Sequence, residues 1–395
     1  NFQRRMSFQN AKRNRDLVIK FAIGSTVTIL VGGIVYYVYR QKIFKEQIND
    51  ANLSSNKTGS CCGNGMTCNP EDKKMKDIVL DRYSTTARNF TSNQQKSADK
   101  MAEVFGYTQQ ELDEFGADSN MGLACGNPVA QASIKNGEVV MDLGCGGGFD
   151  CFLALKKVGK TGKVIGIDMS KDMIDRATNN AIKRGYKIGD INDITDNNVN
   201  ISFYKTEIES MDAINDNFVN CVISNCVLNL VPNKLNAFKE IYRVLQGNNK
   251  GRLAISDIAF KKAFPKEMND DAKAYVAGYV NCISGAILKD EYNNLLKQAG
   301  FKQIKFVEKK VDLNVWKSGW ESGGDSGGCC GVREPESTSQ GGCCGSTTDN
   351  SNNNNNDNKK AALSFTNDEL SSIQKKLKNI NLNDYVGSYY IFAIK

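Results

Sequence analysis

The sequence predicts an α/β fold, a mostly parallel seven-stranded sheet with helices on both faces. Three observations carry that prediction. Apolar runs of strand length alternate with amphipathic helical segments from about residue 75 onward, a glycine-rich turn follows the first of these runs, and the second run ends on an acid. The chain has 395 residues, 40% hydrophobic and 24% charged, a balance that supports a packed core.

Taken in order, residues 73–88 read as an amphipathic helix with Met75, Ile78, Val79 and Tyr83 near one face. Thr108 with Glu111 forms a capping box for a short helix, and Asn127 with Pro128 supplies the cap and first turn of the next. EVVMDL (138–143) is the first strand, followed by a glycine turn and a helix from Phe149. KVIGID (163–168) is the second strand, and Ser170 caps a helix that ends near Gly185. ISFYK (201–205), FVNCVIS (218–224) and RLAISD (252–257) are further strands, with a helix at 234–245 between the last two. Residues 187–199 form an extra loop before the third strand. A helix at 291–299, closed by Gly300, precedes the strand KQIKFVE (302–308). The Gly-, Ser- and Asn-rich stretch 318–362 breaks the pattern and reads as disordered. Order returns with a helix near 367–377 and the strand GSYYIFAIK (387–395). A strand there cannot stand unpaired, so it is expected to return to the sheet beside 302–308, which makes 318–362 a loop-out from one domain.

Two residue counts bound the chemistry. There is no histidine, so no Ser-His-Asp or Cys-His hydrolase, no HExxH protease and no histidine general base can be built. There are 13 cysteines, an odd number in a chain too long to need a disulfide scaffold. Cys61/Cys62, Cys329/Cys330 and Cys343/Cys344 are adjacent pairs, each followed by glycine. Adjacent cysteines bridge one another only through a strained ring, so reduced thiols or soft-metal ligands are the better reading. A lone cysteine on an apolar element is ordinarily a small core residue, and that reading suits Cys145, Cys151 and Cys221.

The net charge of +7 concentrates at the start, where residues 1–20 hold Arg4, Arg5, Lys12, Arg13, Arg15 and Lys20 against Asp16. No aromatic-interleaved basic patch elsewhere supports nucleic-acid binding, so none is expected. The uncharged run FAIGSTVTILVGGIVYYVY (21–39) spans about 28 Å as a helix, near the thickness of a bilayer's hydrocarbon, and Tyr36, Tyr37 and Tyr39 sit where an aromatic belt belongs. A single-pass membrane helix is expected there. The organisation that follows is 1–40, basic start and membrane helix; 41–74, a tether with Cys61, Cys62 and Cys68; 75–317, the main α/β domain; 318–362, the loop-out; and 363–395, closing helix and strand.

The glycine turn is DLGCGGGF (142–149), with Gly144, Gly146 and Gly148 after Asp142. Glycines let a ligand approach the backbone closely and leave helix N-terminal N–H groups facing it. Asp168, at the end of the next strand, can accept hydrogen bonds from ribose hydroxyls. A nicotinamide loop usually carries no acid before its first glycine. This loop instead resembles the first motif of class I S-adenosylmethionine-dependent methyltransferases, a Rossmann-like fold. The resemblance implies that Met169 flanks the adenine and that Ile208 and Glu209 edge it.

Three cysteine segments narrow the resemblance. GLACGNP (122–128), SNCVLNL (224–230) and NCISGA (281–286), with the flanking GKVIGIDMS, EIYRVL and LAISDI, resemble the arsenite methyltransferases over 75–317 and again over 384–395, more in their bacterial and archaeal form than in their animal form. The resemblance implies that Cys125, Cys226 and Cys282 are the catalytic thiolates and hold As(III) as substrate, with S-adenosylmethionine as methyl donor. It also implies a thiol reductant of the glutathione or thioredoxin type and a monomeric enzyme that yields methylated arsenicals. Trivalent arsenic is soft and favours thiolates, and its lone pair can attack a methyl group with no proton to lose, so a histidine-free chain can run the reaction. Two other classes compete: a methyltransferase for a membrane lipid or quinone, and a thiol-rich metal-binding protein. Positive-inside bias would carry the catalytic domain across the membrane. The supply of S-adenosylmethionine and reduced thiols argues for the cytosolic face, which is the expectation adopted. The basic, acid-poor start is also compatible with a mitochondrial membrane.

Overall fold

The computed structural model describes residues 70–190, 199–264, 285–314 and 380–395. The expected membrane helix at 21–39, the helix near 367–377, most of the 187–199 loop, and Cys61, Cys62, Cys68, Cys282, Cys329, Cys330, Cys343 and Cys344 lie outside the described residues. Among the described residues no helix is long and apolar enough to cross a membrane.

All seven expected strands form: β1 (Val139–Leu143), β2 (Lys163–Asp168), β3 (Ile201–Lys205), β4 (Cys221–Asn225), β5 (Arg252–Phe260), β6 (Lys302–Glu308) and β7 (Val386–Ile394). They make one sheet in the order β3-β2-β1-β4-β5-β7-β6. β1 to β5 are parallel, and β7 runs antiparallel to both neighbours. This is the Rossmann-like, mostly parallel sheet that the sequence predicts. β7 lies beside β6 as expected, but it also inserts against β5, from Arg252↔Ile394 to Phe260↔Val386. That pairing is why β5 runs three residues past the expected strand end at 257.

The helices are α1 (Pro70–Asn89), α2 (Gln95–Val104), α3 (Gln109–Glu111), α4 (Pro128–Gln131), α5 (Phe149–Val158), α6 (Lys171–Lys183), α7 (Lys234–Val244) and α8 (Lys289–Gln298). The caps fall where the sequence places them. Thr108 and Glu111 exchange the two hydrogen bonds of a capping box. Asn127 Oδ1 accepts from Ala130 N–H at 2.8 Å ahead of Pro128, and Ser170 Oγ accepts from Met173 N–H at 3.3 Å. α2 is not foreseen; its polar segment QKSADKMAEV carries few apolar residues, and burial of Ala98, Met101 and Ala102 holds it in place.

Strand alternation divides the core between the sheet faces. Met141, Leu143, Ile165, Ile167 and Val222 face Phe238 and Ile241 of α7 and Tyr292 and Leu296 of α8. Val140, Val164, Ile201 and Ile223 face Phe152, Leu155 and Val158 of α5 and Val129 of α4. Cys145, Cys151 and Cys221 are buried in this second layer as free thiols, matching the core reading.

Tyr292 is fully buried and its hydroxyl has no hydrogen-bond partner among the described residues. An unsatisfied buried hydroxyl costs about 1–3 kcal/mol. Tyr292→Phe is therefore expected to raise unfolding stability by about 1 kcal/mol, read as a higher urea midpoint with an unchanged slope; a lower midpoint contradicts the assignment.

Candidate functional site

The strand order reverses between β1 and β4, so a crevice opens outside their carboxyl ends. A cleft of about 1170 Å³, open mouth included, occupies it. Of the residues expected to bind cofactor, Asp142, Gly144, Gly146, Asp168, Met169, Ile208 and Glu209 line this cleft. Gly148 sits one step behind as the N-cap of α5.

The turn after β1 uses positive φ at Gly144 (66°), Gly146 (52°) and Gly148 (91°). A Cβ at Gly144 would come within 2.5 Å of Val227 Cγ2, so the β1 turn and the β4 turn pack backbone against side chain with no room between. Gly146 N–H donates to Asp168 Oδ2 at 3.1 Å and Ser170 N–H to Oδ1 at 2.9 Å. Burial raises the Asp168 carboxyl above its ordinary range, against the pull of these backbone N–H groups. At the far rim Lys76 of α1 pairs with Glu207 at 2.5 Å and Glu209 at 3.2 Å, closing α1 over that side of the cleft.

The second half of the site is built on sulfur. Cys226 follows β4 with φ +61°, a left-handed conformation costly for a non-glycine residue, and its N–H donates to Ser256 O at 2.8 Å. Cys125 comes from the loop before α4, 101 residues earlier, yet the two Cα atoms are 5.7 Å apart and the sulfurs are joined in a disulfide. The sequence reading takes both as thiolates that hold the substrate; the structure brings the two together, paired as a disulfide. The expected third ligand, Cys282, lies outside the described residues. Gly285, three positions later, packs so tightly on Asn229 that a Cβ there would lie 1.7 Å from Asn229 O.

A set of residues that the sequence reading misses surrounds the two cysteine segments. Asn225 Oδ1 accepts from Cys125 N–H at 2.9 Å, and its amide donates to Gly126 O at 2.6 Å, Tyr107 Oη at 2.8 Å and Asp150 Oδ2 at 3.1 Å. Tyr107 in turn donates to Asp150 Oδ1 at 2.7 Å. Lys309, just past β6, donates to the Cys125 carbonyl and to Ser256 Oγ, and Ser388 Oγ of β7 donates to the same carbonyl at 3.2 Å. A Cβ at Gly126 would meet Lys309 Nζ at 2.2 Å, so glycine is what lets the lysine in. Asp257 of β5 completes the set, fully buried, with a carboxylate oxygen within 4.8 Å of both sulfurs. Burial pushes Asp257 up to about 7 and Lys309 down to about 7, outweighing their mutual attraction. The only sequence signal for these residues is position: Asn225 adjoins Cys226, and Asp257 ends the expected strand 252–257.

Residues 134–300 match a family model described as a methyltransferase domain. The arsenite methyltransferase of Halobacterium salinarum is 38% identical over 208 residues, 53% of this chain and 48% of that protein. The Homo sapiens arsenite methyltransferase is 31% identical over 168 residues, 41% of this chain and 40% of that protein, so the archaeal sequence is the nearer of the two. The chain thus spans about half the length, or less, of these curated relatives. Among solved structures, an arsenic(III) S-adenosylmethionine methyltransferase from Chlamydomonas reinhardtii aligns at 28% identity over 55% of this chain and 67% of that one, with a TM-score of 0.40.

Burial also lifts Asp150, to about 6 from 3.8, against its hydrogen bonds from Tyr107 and Asn225. Between those two values the folded chain keeps a proton that the unfolded chain releases, so this group makes stability fall as pH rises through that window and has no further effect above it. Asp150→Asn is expected to flatten the pH dependence of the urea midpoint between 3.8 and about 6. An unchanged slope there would contradict the assignment.

Proposed function

We propose that the chain transfers methyl groups from S-adenosylmethionine to trivalent arsenic held by Cys125, Cys226 and Cys282, giving methylated arsenicals. The observation that carries this reading is the meeting of Cys125 and Cys226, 101 residues apart in sequence, at the mouth of the glycine turn. The archaeal and human relatives bear the name of that activity over the region they share with this chain.

The residues present fit S-adenosylmethionine. Asp168 spends only part of its accepting capacity on Gly146 and Ser170, which leaves capacity for ribose hydroxyls. Met169 and Ile208 give the same cleft apolar walls, and the turn at Gly144 and Gly146 leaves backbone where side chains would intrude. When bound, this donor supplies a methyl group on an already activated sulfonium. The protein's own part is positioning: the two turns fix the sulfurs against the donor's cleft, so that an arsenic lone pair faces the methyl in line.

The disulfide must open first. Two equivalents of a thiol reductant, of the glutathione or thioredoxin type, convert it to two thiols and leave with a disulfide of their own. Nothing in a lipid, quinone or metal-storage role uses both the sulfur pair and the Asp168 cradle. The membrane helix at 21–39, a cytosolic catalytic face and a monomeric state complete the proposal; protection of the catalytic domain from added protease in sealed cytosol-out vesicles would contradict that orientation.

With reductant present, each of Cys125→Ser, Cys226→Ser and Cys282→Ser is expected to weaken arsenite binding by at least about tenfold while S-adenosylmethionine binding persists. Asp168→Ala is expected to show the reverse pattern, measured by calorimetry for both ligands. Unchanged arsenite affinity in all three cysteine variants sinks the proposal.

A further inference from the structure

Asp257 has no part in the scheme above, yet it lies beside the sulfur pair. It is fully buried, and one of its carboxylate oxygens lies within 4.8 Å of both Cys125 Sγ and Cys226 Sγ. Its orientation is fixed: Oδ1 accepts from Asn229 Nδ2 at 2.8 Å and from Ile258 N–H at 2.9 Å, and Oδ2 accepts from Asn229 N–H at 3.2 Å. A carboxylate offers about four accepting positions, so one on Oδ2 is left over. A buried acceptor is normally filled.

Arsenite enters as As(OH)3. Two thiols displace two hydroxyls: two S–H and two As–O bonds break, two As–S bonds form, and two waters leave, with arsenic still trivalent. The product held by Cys125 and Cys226 keeps one hydroxyl, an O–H donor beside a carboxylate that is within reach of both sulfurs. We infer that Asp257 is a positioning residue that accepts this last arsenic hydroxyl and holds the two-thiol complex until the third thiol displaces it. The inference rests on the proposed function. It gives the site an oxygen-recognising wall beside its sulfur wall, and so a preference for a ligand that carries both a thiophilic centre and a hydroxyl. Asn229 supports Asp257, and Gly285 packs against Asn229 in turn.

The test uses the reduced full chain and two probes. Arsenite bound by two thiols keeps a hydroxyl; phenylarsine oxide uses two thiols and keeps none. In a Cys282→Ser background, where the third displacement cannot occur, Asp257→Asn is expected to weaken arsenite binding about tenfold and leave phenylarsine oxide binding unchanged. Asp257→Glu, which retains the charge, is expected to recover part of the loss. Equal weakening of both probes in both variants makes Asp257 a structural residue and overturns the inference, as does no change with either probe. Failure of Cys282→Ser alone to bind arsenite also overturns it. If the unmutated chain binds neither probe, the functional proposal itself has failed.

Discussion

The site depends on one side-chain amide. Asn225 ends β4 immediately before Cys226, and its carbonyl oxygen takes the backbone N–H of Cys125 while its nitrogen reaches Gly126 O. The 122–128 loop and the β4 turn are thereby locked together whatever the sulfurs are doing. Asp150 and Tyr107 fix the same amide from the α5 side, so the helix that opens the glycine turn and the loop that carries Cys125 share one network. Removing any member leaves buried polar atoms unpaired, which is why such networks specify one geometry more strongly than their single bonds suggest.

Around that network the protein buries charge it does not neutralise cheaply. Asp142, Asp150 and Asp257 are all displaced upward by burial, and Lys309 downward. A domain built only for stability would fill these positions with apolar side chains. Their concentration around the β1 turn and the Cys125–Cys226 pair, together with the left-handed backbone at Cys226, marks this edge of the sheet as the place where stability is given up for chemistry.

Much of this was readable in advance, and the division has a physical basis. Strands, caps and the glycine turn depend on neighbours within a few residues, so apolar periodicity and side chains such as Thr108, Ser170 and Asn127 announce them. Asp142, the turn glycines and Asp168 followed because turn and acid occur at fixed offsets from their strands, whereas Met169, Ile208 and Glu209 came only through the family resemblance. Asn225, Asp257 and Lys309 could not be found that way, since each acts on a segment distant in sequence: Asn225 on Cys125 and Lys309 on Cys125 and Ser256. The direction of β7 was hidden for the same reason. An alternating pattern fixes which face is buried but says nothing about which way the strand runs.

The place of β7 has a consequence for how the molecule is made. It joins β5 along nine residue pairs, yet it lies far along the chain from β5, beyond a long connection after Glu308. The closure entropy of such a connection grows slowly with its length, so insertions there are tolerated at equilibrium. Kinetics are less forgiving. Until Val386–Ile394 arrives, the Arg252–Phe260 strand presents an open hydrogen-bonding edge with two apolar runs, 253–255 and 258–260. A bare edge of that kind is a template for pairing with another copy. The hazard for this protein is therefore greatest before its final strand docks, and it lies in aggregation of the incomplete sheet rather than in the finished fold.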